Sequence, residues 1–234
     1  AVLRMAQRFE DPARGDPYRP PSPELALKRI KDTDRSRVVV LWCESHDTSS
    51  ILQAALKIGI IGLDAQGNVA VSLGLNTPRS IYHVLVEGAR PRDCIVNVSK
   101  NFDALTSNTS LAQAEVKLVN TPRNRFKVLA SRMSGLEHYD YIIMDCGPSL
   151  SVLNQNALTF ADNILIPVSC DYLSLVGVKQ ILRTLKKVNE LLLHPVSILG
   201  VVPTFYDART RISAEAVNTL KSYFKERVMP PIRV

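Results

Sequence analysis

The chain has 234 residues, 46% of them hydrophobic, enough to bury the core of one α/β domain and too few for two full ones. Lys and Arg outnumber Asp and Glu by 29 to 22, and the resulting +7 favours contact with a polyanion such as DNA, RNA or an anionic surface, although a merely basic surface gives the same balance. Apolar runs such as 164–168 fall far short of the roughly 20 residues a bilayer span needs, no charged-then-apolar leader opens the chain, and the four cysteines are scattered without C-x-x-C spacing, so a soluble, cytoplasmic protein with reduced thiols is expected.

Residues 1–35 read as an arm or linker, because "EDPARGDPYRPPSPE" crowds prolines and charges together with almost no periodic apolar positions. From residue 36 to 234 a single α/β domain is expected. Strands are predicted at 38–41, 58–63, 94–98, 102–105, 141–144, 163–167 and 197–203. Helices are predicted between them at 81–86, 112–118, 123–135, 151–161, 173–192 and 213–226. Short apolar runs separated by helices of this length indicate a three-layer α/β fold, a mainly parallel twisted sheet with helices on both faces. Such sheets bind ligands at the carboxyl ends of their strands. Helix 173–192 carries one apolar stripe, and its opposite face holds Lys179, Arg183, Lys186 and Lys187, which fits a solvated face better than a DNA surface.

Two strand ends deliver a carboxylate. "IIGLDAQGN" leads Asp64 into a glycine-containing turn, and "YDYIIMDCGPSL" ends its strand in Asp145 and a Gly-Pro turn. A carboxylate at the tip of a buried parallel strand needs a partner, a proton or a cation, and a magnesium-nucleotide site is a common reason for one. The alternative is an aspartate capping the helix that follows. His46, His83, His138 and His194 sit in unrelated contexts, so nucleophilic catalysis is not suggested.

Together with "ADNILIPVSCDYLSLVGVKQIL" and "ILGVVPTFYDARTRIS", these segments resemble the ParA/Soj branch of the ParA/MinD family, the deviant-Walker ATPases that partition chromosomes and plasmids and position cargo. The resemblance covers about residues 36–234 in the family's order. It implies a P-loop NTPase-like fold, with ATP and Mg²⁺ as cofactors. The family's second strand ends Asp-x-Asp-Pro-Gln-Gly-Asn, so Asp64 would orient the attacking water, Gly62 stands where a carboxylate is lost, and Ala65 replaces the proline. Asp145 takes the Walker B position, a magnesium ligand together with Ser49. Pro203, Thr204 and Asp207 fall where the family lines its adenine pocket.

The phosphate cradle departs from the pattern. A P-loop needs glycines so that backbone N–H groups can curl around phosphates, and lysines to neutralise them. Here residues 43–50, "CESHDTSS", keep only the hydroxyls of Thr48, Ser49 and Ser50, while Cys43 and Thr48 replace the family lysines. Glu44 and Asp47 add negative charge, and like charges about 4 Å apart repel by about 4 kcal/mol at an effective dielectric of 20. Only residues 42–57 join the first two strands, short for a loop plus a crossover helix, and the chain is expected to stop near the family's last strand, short of its closing helix.

The sequence therefore predicts a ParA-like DNA partition or cargo-positioning protein whose ATP binding and hydrolysis are impaired or lost. An active ATPase whose P-loop lies outside this chain, and a pseudo-ATPase interaction module without DNA binding, are the alternatives. By resemblance the partners are nonspecific DNA, contacted by Arg209, Arg211, Lys221, Lys225, Arg227 and Arg233, a ParB-like or cargo-adaptor protein, and a second copy in a homodimer. Nucleoid association follows from the DNA contacts. The amphipathic C-terminal helix of MinD relatives is not expected, nor is membrane binding.

Overall fold

The structure is a computed structural model that describes residues 38–42, 57–121, 124–147, 151–171 and 196–233, with residues 174, 178, 182, 183, 185, 186, 189 and 190 between the last two stretches. The arm 1–35, the cradle residues 43–50 with Thr48, Ser49 and Ser50, and most of helix 173–192 lie outside the described residues. Seven strands form one sheet: β1 (Val38–Trp42), β2 (Ile58–Leu63), β3 (Val96–Ser99), β4 (Phe102–Leu105), β5 (Tyr141–Cys146), β6 (Asn163–Ser169) and β7 (Ser197–Thr204), in the order β3-β4-β2-β5-β1-β6-β7. Every pairing is parallel except that of β3 with β4. Six strands therefore present their carboxyl ends on one edge.

The period-two alternation of side chains builds two cores. Ile61, Leu63, Met144, Ile164, Ile166 and Val201 face one side, where they meet residues of α2 (Leu111–Val119), α3 (Val128–Arg132) and α4 (Val152–Phe160). Ile58, Ile60, Ile143, Leu165 and Val202 face the other, with Val69 of α1 (Asn68–Ser72) and Ile232. Continuous apolar runs such as "IGIIGL" suit strands buried on both faces. The fold is the expected α/β class. The long α5 (Arg211–Phe224) buries Ser213, Ala216, Val217 and Leu220 on one stripe.

Boundaries differ in places. Helix 123–135 contracts to α3, because Asn124 at φ 60° and Gly135 at φ 83° leave the helical region on either side. Asn156, fully buried on α4, fixes that short helix: its Oδ1 accepts from Leu129 N at 3.0 Å and its Nδ2 donates to Arg125 O at 2.7 Å. The segment at 81–86 becomes a π-helical turn, His83–Glu87. α1 and the 3₁₀ turn Pro91–Asp93 were not anticipated.

The amino-end edge of the sheet is tied by a polar cluster. Asp103, buried on β4, accepts from Tyr139 Oη at 2.7 Å and Asn97 Nδ2 at 2.7 Å, and Lys57 Nζ lies 3.7 Å away. Lys57 N also donates to Asp140 Oδ2 at 2.7 Å. These bonds join β2, β3, β4 and the lead-in to β5, so they fix register at the end opposite the carboxyl edge.

Candidate functional site

Strand register brings the two predicted carboxylates together. Asp145 on β5 pairs with Leu41 of β1 on one side and Gly62 of β2 on the other, so the carboxyl ends of β1 and β2 flank it. Asp64 follows the end of β2, and a Cβ placed on Gly147 would stand 3.5 Å from its Cγ and Oδ1. The Asp64 carboxyl group therefore lies against the turn that leaves Asp145. Buried Cys146 feels both: burial first, then the charges of Asp145 and Asp64, hold its thiol well above the ordinary range. Asn154, buried on α4, donates from Nδ2 to Gly147 O at 2.6 Å and steadies that turn.

Asp64 also shapes its own loop. Gln66 N donates to its Oδ1 at 3.0 Å and Asn68 Nδ2 to its Oδ2 at 3.5 Å, while Gly67 takes φ 68° to start α1. Asp64 shapes the turn before α1 and does not cap the helix itself, whose N-cap is Gly67 with no side-chain bond. A further residue, Ser107, carried no sequence signal. It follows β4, is 2% exposed, and donates from Oγ to Asp64 O at 2.6 Å. A Cβ on Gly62 would stand 2.7 Å from that Oγ and 3.2 Å from Ser107 N, and a Cβ on Gly67 would stand 3.0 Å from Ser107 O. Ser107 thus fills the space between two glycines of the β2 turn.

Of the remaining nucleotide candidates, Pro203 and Thr204 end β7 and Asp207 follows it. Two strands, β1 and β6, separate β7 from β5, a lateral spacing of about 14 Å, and Pro203 and Thr204 lie further along β7 than Gly200, the residue level with Asp145. Thr204 is buried, and its carbonyl accepts from Cys170 N at 2.9 Å. Asp207 is occupied locally: Arg209 grips it through Nε at 2.9 Å and Nη2 at 2.8 Å, and these bonds together with Arg209 N lower its carboxyl to about 2. The structure brings Asp64 and Asp145 together and leaves Pro203, Thr204 and Asp207 at the far end of the same edge.

Comparison with known proteins decides the family. The chain is 35% identical over 176 residues to the sporulation initiation inhibitor protein Soj of Bacillus subtilis (strain 168), covering 74% of this chain and 70% of that one. The chain belongs to the ParA/Soj family. An AAA domain family model matches residues 47–198. Chromosome partitioning protein ParA of Myxococcus xanthus (strain DK1622) is 32% identical over 189 residues, with 79% and 66% coverage. Among solved structures, cobyrinic acid a,c-diamide synthase from Mycobacterium smegmatis with bound ATP analog and magnesium superposes with a TM-score of 0.74 at 28% identity, covering 82% of this chain and 84% of that one.

Against this ParA/Soj frame, the site fits magnesium-triphosphate poorly. Asp64 and Asp145 are in place, but Ser107 occupies the space into which a side chain at position 62 would project. The loop sequence 43–50 supplies neither glycine nor lysine. The six basic residues of the C-terminal part, Arg209, Arg211, Lys221, Lys225, Arg227 and Arg233, are all exposed. Arg209 lies 2.8 Å from Asp207 and Arg211 lies 2.6 Å from Glu215. Exposed pairs of this kind are weak, so those arginines remain able to exchange partners. Among the described residues, no helix is long and apolar enough to cross a membrane.

Proposed function

We propose that this protein is a ParA-type partition or cargo-positioning protein that binds DNA without sequence preference and has lost ordinary ATP binding and hydrolysis. The packing at Gly62 carries the reading. A ParA/Soj ATPase places a carboxylate there, whereas here Ser107 Oγ would lie 2.7 Å from any Cβ at that position. The acidic, lysine-free loop 43–50 supports it, since Glu44 and Asp47 stand where phosphates would need cations. Asp64, bonded to Gln66 N and Asn68 Nδ2, then serves as a structural carboxyl group on the edge where β5 ends in Asp145 and Cys146. DNA attraction rests on the +7 charge and the six exposed basic residues, which contact phosphates and release counterions. A ParB-like or adaptor partner and a homodimer follow from the family and belong to the same proposal.

Titration calorimetry of the full-length, mass-verified protein with Mg-ATP tests the nucleotide half. No saturable heat at micromolar concentrations is expected, and tight binding with turnover overturns it. Fluorescence anisotropy with random-sequence duplex tests the DNA half, with affinity expected to fall steeply between about 50 and 200 mM salt. No binding at low salt would make the protein an interaction module without DNA.

A further inference from the structure

Ser80 stands just before the helical segment 81–87, and an imidazole closes that turn. Ser80 N donates to His83 Nδ1 at 3.0 Å, while His83 N donates to Ser80 O at 3.0 Å. In the sequence "SIYH" the histidine sits three residues after the serine, where Glu or Gln of a capping box reaches back to the first N–H. A carboxylate or amide oxygen accepts that bond throughout the neutral pH range. An imidazole nitrogen accepts it only while it carries no proton.

Water cannot take over from the imidazole, because Ser80 and Ile81 are both 0% exposed. Ile81 N donates to Thr106 O at 2.8 Å, and Thr77 Oγ1 lies 2.6 Å from Thr106 Oγ1. The turn is therefore tied to the residue that follows β4, and the next one, Ser107, holds Asp64 O through its hydroxyl. The His83 ring is only half-buried, open enough to exchange protons with solvent. Tyr82 stands edge-on to it, with ring centroids 5.6 Å apart. α2 and α3 pack on the same turn, and their charged residues are Glu115, Lys117 and Arg132, with Lys127 just before α3. Arg79 and Glu87 lie on the turn's own segment. Lys117 Nζ donates to Tyr82 Oη at 3.0 Å, and Arg132 Nη1 is set against Gly88, where a Cβ would stand 2.8 Å from it. Among the described residues no carboxylate forms an ion pair with the His83 imidazole.

We propose that His83 is a proton switch on this turn: the neutral imidazole holds Ser80 N–H, and the protonated one lets it go. A proton from solvent occupies the Nδ1 lone pair, so the bond from Ser80 N breaks. The new Nδ1–H has an acceptor at hand in Ser80 Oγ, 3.4 Å away. Ser80 N–H is then buried without a partner, which loosens the hold of Ile81 on Thr106. Mild acid thereby reaches the exit of β4 and, through Ser107, the backbone of the Asp64 turn. The device works with or without a nucleotide on that edge.

NMR of the full chain between about pH 8 and 5, the span in which imidazoles titrate, tests the switch. The His83 ring proton shifts follow its charge, and amide hydrogen exchange corrected for intrinsic rate follows Ser80 and Ile81. Ser80 protection should fall about 5- to 150-fold as the ring gains its proton, with Ile81 falling in step. His83→Gln keeps an oxygen acceptor at the capping-box position at every pH, so its Ser80 protection should stay flat, and His83→Glu should match it. Unchanged Ser80 protection in the parent protein while the ring titrates overturns the proposal. So does a ring that takes up no proton above about pH 5, or an equal fall in both variants.

Discussion

Gly62→Ala isolates the feature on which the nucleotide reading rests. The new methyl group would stand 2.7 Å from Ser107 Oγ and 3.2 Å from Ser107 N, closer than ordinary carbon contacts on both counts. Overpacking of this kind costs about 1–3 kcal/mol. Ser107 can retreat only by giving up its 2.6 Å bond to Asp64 O, and losing that bond adds about 1 kcal/mol. The expected destabilisation is therefore about 2–4 kcal/mol, a fall in Tm of about 4–16 °C for a domain of this size. Urea and thermal denaturation followed by circular dichroism measure it. The same substitution in a Ser107→Gly background should be nearly neutral, because the clashing hydroxyl is gone and only a backbone contact remains. A single variant within about 0.5 kcal/mol of the parent, or a double variant as unstable as the sum of the singles, refutes the reasoning.

Asp103→Ala strands the hydroxyl of Tyr139 and the amide of Asn97, so a loss of about 2–5 kcal/mol in urea unfolding is expected, with Asp103→Asn recovering part of it. Alkaline pH should destabilise the fold: burial is the main cause raising Cys146, Cys170 and Tyr139, so their contribution is intact below the ordinary thiol value of 9.0 and is lost as pH climbs through the raised values, about 11 for Cys170. A denaturation midpoint flat from neutral pH well into the alkaline range would contradict this. Asp207 moves the other way, its contribution present above the ordinary 3.8 and lost as pH falls toward 2, so a carboxyl NMR titration should show a midpoint near 2 that returns toward 3.8 in Arg209→Gln.

The sheet was legible because its strands are uninterrupted apolar runs bounded by turn residues, and a strand such as 58–63 can hardly be anything else when buried on both faces. Asp64 and Asp145 were legible for a related reason, since a charge that ends such a run lands on the carboxyl edge. Features that depend on distant partners were not. Ser107 acts on Asp64, 43 residues earlier, through a contact that only the β4–β2 pairing creates. Helix 123–135 was overdrawn because its apolar periodicity is real while Asn124 and Gly135 adopt positive φ.

The scaffold and the nucleotide edge draw their stability from different places. Register is held at the amino end by Asp103, Tyr139, Asn97 and Lys57, and the helical layer is held by Asn156, so none of these bonds depends on a phosphate. Loops at the carboxyl edge of such a sheet can change while the layers beneath persist. At position 62 packing is tight: a Cβ there would stand 2.7 Å from Ser107 Oγ as it is now placed, so a side chain enters only if that hydroxyl moves. Gly62→Asp alone would therefore push Ser107 Oγ off Asp64 O and disturb the turn that presents Asp64. If nucleotide binding is lost as proposed, a magnesium-nucleotide site would need change on β2 and after β4 together, in addition to cations and glycines in the loop sequence that follows β1.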